Sequence, residues 1–306
     1  MSYQDKSPAT DLARQGLLAG IAAYTMWGMF PIYFKLTQSV PPAEFVAYRI
    51  LFSVPFGLLI ILFRKQVDDV LVALKNPKTV LLLLFAAVAL AFNWGVYIFA
   101  IQDGQIFQAS LGYYINPLMY VLVGVVFFSE KLSKLQGLAA LLALVGVAIL
   151  TLYGGVFPII ALCLAVTFTL YGVIRKYVEI GAMPGLFIET ILLMIPALFF
   201  LLYLRQAGPL QVETAAWGLK TLIFLAGPVT VLPLLAFAFS ARRLKLATLG
   251  FLQYIGPTLQ FMCGLYFGEV FTLAHAICFA FIWVGVAVFS YDAWDNNRRI
   301  KKVGLQ

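Results

Sequence analysis

Charge is scarce in this 306-residue chain: Lys and Arg number 21 and Asp and Glu 13, so charged residues make up 11% against 63% hydrophobic ones. One water-soluble core of this length cannot hide so much apolar surface, so lipid has to solvate it. Histidine is scarcer still, and a lone His275 excludes histidine metal clusters and Ser-His-Asp relays. Cys163, Cys263 and Cys278 each lie in an apolar run without a partner at metal-ligand or redox spacing, and read as small packing residues. No glycine-rich phosphate loop ending in Lys-Ser or Lys-Thr occurs, so no cofactor is expected and ATP is not the power source. An enzyme would need a nucleophile with a base or a pair of embedded acids; Asp103 beside Gly104 has no such partner, and the chain reads as a non-enzyme. The net charge of +8 sits in short connectors rather than along one face, which argues for orientation in a bilayer and against a nucleic-acid partner.

What the chain does have is apolar runs of membrane-spanning length, about 20 residues each, nearly end to end. Gly, Pro and charges punctuate them into ten spans: 16–36, 44–63, 79–100, 106–128, 133–152, 156–174, 185–204, 217–239, 246–267 and 272–291. The fold class is therefore an all-α integral membrane protein, since lipid leaves helices as the way to satisfy the backbone. With the N-terminus inside, the inner segments carry Lys6, Arg14, Arg64, Lys65, Lys75, Lys78, Lys131, Lys134, Arg175, Lys176, Arg242, Arg243, Lys245, Arg298, Arg299, Lys301 and Lys302. The outer side keeps Lys35, Arg205 and Lys220, so both termini are expected in the cytoplasm.

The chain is also duplicated. Ser129 to Ser133 and Val145 to Ala148 match Gly268 to Thr272 and Val284 to Ala287 at a constant offset of 139 residues. Ala109-Ser110-Leu111-Gly112 and Tyr114-Ile115-Asn116-Pro117 resemble Ala247-Thr248-Leu249-Gly250 and Tyr254-Ile255-Gly256-Pro257, and Pro55 corresponds to Pro196. Each copy holds five spans, an odd number, so the second enters the membrane from the opposite side, as the alternation of basic loops also requires. The expected organisation is a cytoplasmic segment 1–15, five-helix repeats 16–152 and 153–294 in inverted topology, and a basic cytoplasmic tail 295–306. Inverted repeats let two packings open a midplane site to either side, which is what a carrier requires; a channel, a receptor or an intramembrane enzyme are the rival readings.

Trp27 to Lys35, Tyr48-Arg49-Ile50, Asn93-Trp94, Ala109 to Leu118 and Gln253 to Pro257 resemble RarD-type permeases of the EamA family, in the drug/metabolite transporter superfamily. The resemblance runs from about Gly16 to Trp294. It implies a bacterial inner-membrane carrier of metabolites, amino acids or drugs such as chloramphenicol, with a cavity lined mainly by spans three, four, eight and nine. One departure is His275-Ala276 where the first copy has Gln136-Gly137, the pattern of EamA repeats.

Gln108, Gly112, Asn116 and Tyr120 recur every four residues along the fourth span, with Tyr113 and Pro117 one position around; Gln253, Pro257, Gln260 and Gly264 repeat the stripe in the ninth. In lipid such a stripe faces protein or water, as a solute site or as bonds between packed helices. Pro117 and Pro257 each free a carbonyl one turn earlier and are hinge candidates. Asn93, Trp94 and Tyr97 offer an amide and two amphipathic rings to a small-molecule substrate. Arg49 either holds an anionic solute, pairs with Glu44 or snorkels outward, and Glu189 either takes a coupling proton or snorkels inward. Glu130 and Glu269 are read as caps of the helices that follow them, and His275 as packing near the outer surface. Gly16 and Gly20, Ala139 and Ala143, and Ala276 and Ala280 are spaced for close helix crossings, within the chain or in a homodimer.

Overall fold

The computed structural model describes residues 8–128, 133–155, 157–244, 248–249 and 252–303. The expected positions of Lys6, Glu130, Lys131, Lys245, Ala247 and Gly250 fall outside them. The chain runs through α1 (Pro8–Gly28), α2 (Phe30–Leu36), α3 (Pro42–Phe63), α4 (Val67–Leu74), α5 (Pro77–Gln102), α6 (Ile106–Phe128) and α7 (Lys134–Gly154). There follow α8 (Ile159–Tyr177), α9 (Ala182–Gln206), α10 (Gln211–Thr214), α11 (Trp217–Phe224), α12 (Ala226–Ala241), α13 (Ile255–Tyr266) and α14 (Leu273–Val303). Among the described residues nine helices are long and apolar enough to cross a membrane. The tenth expected span, 246–267, is described only in part: a turn at Gln253 and Tyr254 precedes the 12-residue α13.

Local chemistry sets the ends. Pro42 and Pro77 open α3 and α5, where a missing N–H costs nothing, and Asn76 Oδ1 accepts from Lys78 and Thr79 N–H at 3.1 and 3.3 Å. Ser133 and Gln136 close a reciprocal capping box on α7. At the equivalent positions the Thr272 hydroxyl accepts from His275 N–H at 3.4 Å, while His275 Nδ1 accepts from Thr272 N–H, also at 3.4 Å. His275 thus takes the reaching-back role of Gln136, and the departure from the family pattern is conservative in its effect.

The chain divides into two compact units. The first is Met1–Met29, Gly104–Val166 and Ser240–Gln306; the second is Phe30–Asp103 and Thr167–Phe239. Each draws helices from both halves of the sequence.

In the first unit α6 packs on α13 and α7 on α14. Ser110 donates to the Pro257 carbonyl at 2.8 Å, and the Tyr114 and Tyr254 rings stack at 6.3 Å. The α7–α14 crossing is reciprocal. A Cβ on Gly146 would lie 3.0 Å from the Cys278 carbonyl oxygen and 3.1 Å from Phe281 Cβ. One on Gly285 would lie 3.1 Å from the Ala139 carbonyl oxygen and 3.6 Å from Leu142 Cβ. Gly146 and Gly285, Ala139 and Cys278, and Leu142 and Phe281 are pairs at the 139-residue offset, and the contacts run in opposite directions along the two helices. Such self-complementary contact is the pattern a local two-fold relation produces. Several small residues are spent on intrachain packing: Ala139 and Ala143 are buried, and Gly16 and Gly20 abut Arg243, Ser240 and Leu252.

In the second unit α3 packs on α9, again in opposite directions: Gly57 meets Phe187, and Ala47 and Ile50 share a cluster with Ala197 and Leu201. Helices α5, α11 and α4 pack on this pair, with α4 bringing Val70 and Ala73 to a cluster around Ile61, Leu83 and Ile188. The short α4 lies in the connector between the expected spans 44–63 and 79–100; its apolar face finds that cluster.

Gly146→Leu and Gly285→Leu are each expected to destabilise the chain by about 1–3 kcal/mol through overpacking. Detergent-denaturation midpoints measure this; wild-type midpoints for both would show that the crossing tolerates bulk.

Candidate functional site

The predicted residues divide between the units. Arg49, Asn93, Trp94, Tyr97 and Glu189 belong to the second, and Gln108, Tyr113, Asn116, Pro117, Tyr120, Gln253, Pro257 and Gln260 to the first.

In the second unit Arg49 neither snorkels nor pairs with Glu44. Its exposure is 5%, its Nε–H donates to Thr230 Oγ1 at 2.7 Å, and its guanidinium carbon lies 4.1 Å from the centre of the Trp94 ring and 5.8 Å from those of Phe30 and Phe34. Thr230 can accept because its own hydroxyl proton goes to the Ala226 carbonyl, also at 2.7 Å. A desolvated cation over aromatic rings gains about 2 kcal/mol, which helps to offset burial. The Glu44 carboxylate instead accepts from Gln211 and Val212 N–H at 3.3 and 3.1 Å. Asn93 donates to Thr167 Oγ1 at 2.9 Å, and Tyr97, 3% exposed, sets its ring edge-on to Phe34.

Glu189 does not snorkel either. It is 1% exposed, 3.5 Å from the Arg175 guanidinium, and accepts from the Tyr171 hydroxyl at 3.3 Å. Arg175 comes from the last turn of α8 and also donates to the Gly181 carbonyl at 3.3 Å. It can lie there because residue 185 is glycine: a Cβ would collide with the guanidinium. Sequence reasoning singled out Glu189 but not Arg175, which it had assigned to an inner loop.

In the first unit the stripes face protein. Gln108 donates to Gln105 Oε1 at 2.7 Å and accepts from Ile160 N–H at 3.2 Å, and Gly112 lets α8 approach through Ala161. Tyr113 and Gln253 are half-buried, and Tyr120, 39% exposed, lies at the edge. Asn116 and Gln260 are 7% and 3% exposed; Gln260 Nε2 donates to the Trp27 carbonyl at 3.3 Å. Asn116 Oδ1 and Gln260 Oε1, each fully buried, have no hydrogen-bond donor. Such an atom costs about 1–3 kcal/mol, so two on adjoining helices ask for donors from outside the chain. Next to them, Pro117 and Pro257 remove the N–H that would bond Tyr113 and Gln253 carbonyls.

Glu269 caps a different helix from the one expected. Its carboxylate accepts from Phe107 N–H at 3.0 and 3.3 Å, placing negative charge on the N-terminus of α6. Its tertiary partner is 162 residues away in sequence, beyond what a local motif can announce.

A groove of about 810 Å³ also lies in the first unit, lined by Tyr114, Tyr254 and Thr258 and by Trp283, Tyr291 and Trp294 among others on α14. None of its residues was predicted, although its α14 face recurs at three- and four-residue spacing, a readable signal.

The EamA-like transporter family matches residues 14–152. An uncharacterised transporter of Pseudomonas aeruginosa is 42% identical over 97% of this chain and 100% of its own length. Protein RarD of Salmonella typhi is 40% identical over 94% of this chain and 98% of its own. A protein of known crystal structure, 20% identical, superposes with a TM-score of 0.59 over 89% of this chain and 96% of its own, a likeness of fold.

Arg175→Ala is expected to destabilise the chain by about 3–5 kcal/mol by stranding a buried carboxylate, and Glu189→Gln in the same chain to recover most of that. Denaturant midpoints of the single and double variants decide it: an uncompensated double variant would assign the loss to packing.

Proposed function

Because the chain belongs to the EamA-like transporter family, among its RarD-type permeases, we propose that it is a secondary carrier moving a small organic solute across the bacterial inner membrane by alternating access. Both termini face the cytoplasm in this reading, which the excess of Lys and Arg in alternate connectors supports. Two inverted repeats, 16–152 and 153–294, supply the exchangeable packings; the reciprocal Gly146–Cys278 and Gly285–Ala139 contacts and the opposed directions of equivalent helices favour them.

The observation that carries the solute site is the pair of buried amide oxygens, Asn116 Oδ1 and Gln260 Oε1, without donors. A solute with N–H or O–H donors satisfies them, and the carbonyls freed by Pro117 and Pro257 add acceptors on the same two helices. Metabolites, amino acids and drugs such as chloramphenicol all carry such donors. Uptake is driven by protons in this reading, with Glu189 as the carboxyl that exchanges its proton against the Arg175 ion pair. A carboxylate held at 1% exposure by one cation and one hydroxyl is a group whose ionisation a change of packing can switch.

A thermal-shift screen of purified protein against metabolites and antibiotics, followed by liposome uptake of each hit, tests the carrier itself: saturable flux is expected, and binding without flux would overturn it. Asn116→Ala and Gln260→Ala should abolish that uptake while the protein stays folded in the membrane; normal flux in both would remove the amide pair from the site. Glu189→Gln should lose accumulation driven by a proton gradient yet keep solute exchange at equal concentrations. Loss of both activities together would make Glu189 structural.

A further inference from the structure

The ion pair at Glu189 leaves polar atoms over. Glu189 Oε2 accepts from the Tyr171 hydroxyl, but Oε1 has no hydrogen-bond donor. On Arg175, Nη2 donates to the Gly181 and Ala182 carbonyls at 3.3 and 3.5 Å, while Nη1 has no hydrogen-bond acceptor. Nη1 lies 3.5 Å from Glu189 Oε1, beyond the reach of a direct charge-assisted bond, about 2.7–2.9 Å. A third such atom is Gln66 Oε1, buried and without a donor. Its amide reaches the same connector: a Cβ on Gly181 would lie 4.0 Å from Gln66 Nε2, and the Gly181 carbonyl is one of the two that hold Arg175.

The chain aims Gln66 there. It stands just before the first turn of α4, yet its side chain makes no cap bond. Lys65 before it has a φ of +53°, and among the described residues it is the one non-glycine residue with positive φ. That left-handed residue ends α3, with the Gln66 N–H on the Ile61 carbonyl at 2.9 Å. Strain of this kind is held where the surrounding structure over-determines it, as at functional positions. Two buried acceptors and one buried donor, on an amide, a carboxylate and a guanidinium, are the partners that one water molecule takes. The water donates to Glu189 Oε1 and Gln66 Oε1 and accepts from Arg175 Nη1; an apolar group would satisfy none of them.

We infer that Gln66, Arg175 and Glu189 hold a water that passes protons between Glu189 and the solvent at the junction of α3 and α4. The inference rests on the reading of Glu189 as the coupling carboxyl. A proton from solvent joins the water oxygen as one of the water's own protons passes to Glu189 Oε1, so one proton moves and the water is regenerated. Glu189 lies seven residues into α9, about 10 Å from its start, and the Arg175 side chain, 14% exposed, and the half-buried Gln66 bridge that depth. Other charges on the elements around α9 stay outside: Lys65, Asp68, Asp69, Lys78, Lys176 and Glu179 are exposed and Arg64 is half-buried, while Glu44 and Arg49 are engaged with Gln211 and Thr230 toward the other end of α3. Arg175 is the charge that faces Glu189, with Tyr171 as its titratable neighbour.

The test follows Glu189 itself in the purified full chain, by infrared difference spectroscopy after protons are released from a caged acid. Its signal is the carboxyl band that Glu189→Gln removes. Gln66→Leu, which takes away the outer acceptor, is expected to slow the rise of that band tenfold or more at an unchanged melting midpoint. Gln66→Asn keeps an amide oxygen and should recover part of the rate, which a purely structural role for residue 66 would not produce. A wild-type rate in Gln66→Leu would overturn the route and leave Glu189 as the coupling group. The absence of any band lost with Glu189→Gln would overturn the coupling reading and the route with it. Should Gln66→Leu fail to fold, a high-resolution crystal structure of the unaltered protein decides: a water within about 3.2 Å of both Glu189 Oε1 and Arg175 Nη1 is expected, and apolar side chains packed against both atoms would overturn the route.

Discussion

In hydrocarbon a charge or an amide has to find its partner inside the chain, because the solvent offers none. That requirement organises this protein more visibly than any single apolar contact. The Glu44 and Glu269 carboxylates are each spent on backbone N–H groups at distant helix starts, Gln211–Val212 and Phe107. Arg49 settles among Thr230, Trp94 and two phenylalanines, and Arg175 reaches Glu189 across a position where a side chain would obstruct it. Apart from Arg175 and Glu189, which join consecutive helices, these arrangements connect segments far apart in sequence, so burying polar groups in lipid also specifies which helices meet.

Against that background two of the buried atoms left without partners bear on the proposed site. Gln108 and Asn93 have their bonds within the chain, whereas the side-chain oxygens of Asn116 and Gln260 do not. These two stand on neighbouring helices that each carry a proline of the duplicated motif, and in the proposed site a solute that completes their hydrogen bonds would do so at the expense of whatever packing holds the helices when it is absent. Under the proposed coupling, a proton moving on and off Glu189 would act through the same rule in the other unit, since removing the charge from a buried carboxylate changes what Arg175 is held by.

The duplication shows how a repeated sequence is reused with different chemistry. Gly146 and Gly285 serve the same crossing from both sides, and Ser133–Gln136 and Thr272–His275 close equivalent caps with different side chains. A histidine nitrogen replaces an amide oxygen as the acceptor that reaches back to the cap residue, so the geometry survives where the residue type does not.

The sequence by itself determined that the chain is helical and solvated by lipid, where most spans fall, and which motifs recur, because hydrophobicity over about 20 residues and a constant offset are local or linear properties. It also singled out Asn116 and Gln260, since a four-residue polar stripe in an apolar run is legible without a partner in view. Only the tertiary structure decided that Arg49 rests on Trp94, that Glu269 caps α6, that Arg175 joins Glu189, and that Tyr114, Tyr254 and Trp283 share a groove. Those outcomes depend on which helix faces run together, and a linear pattern leaves that choice to packing between residues on different helices far apart in the chain, or, for Arg175 and Glu189, to the turn that folds one helix end back onto the next.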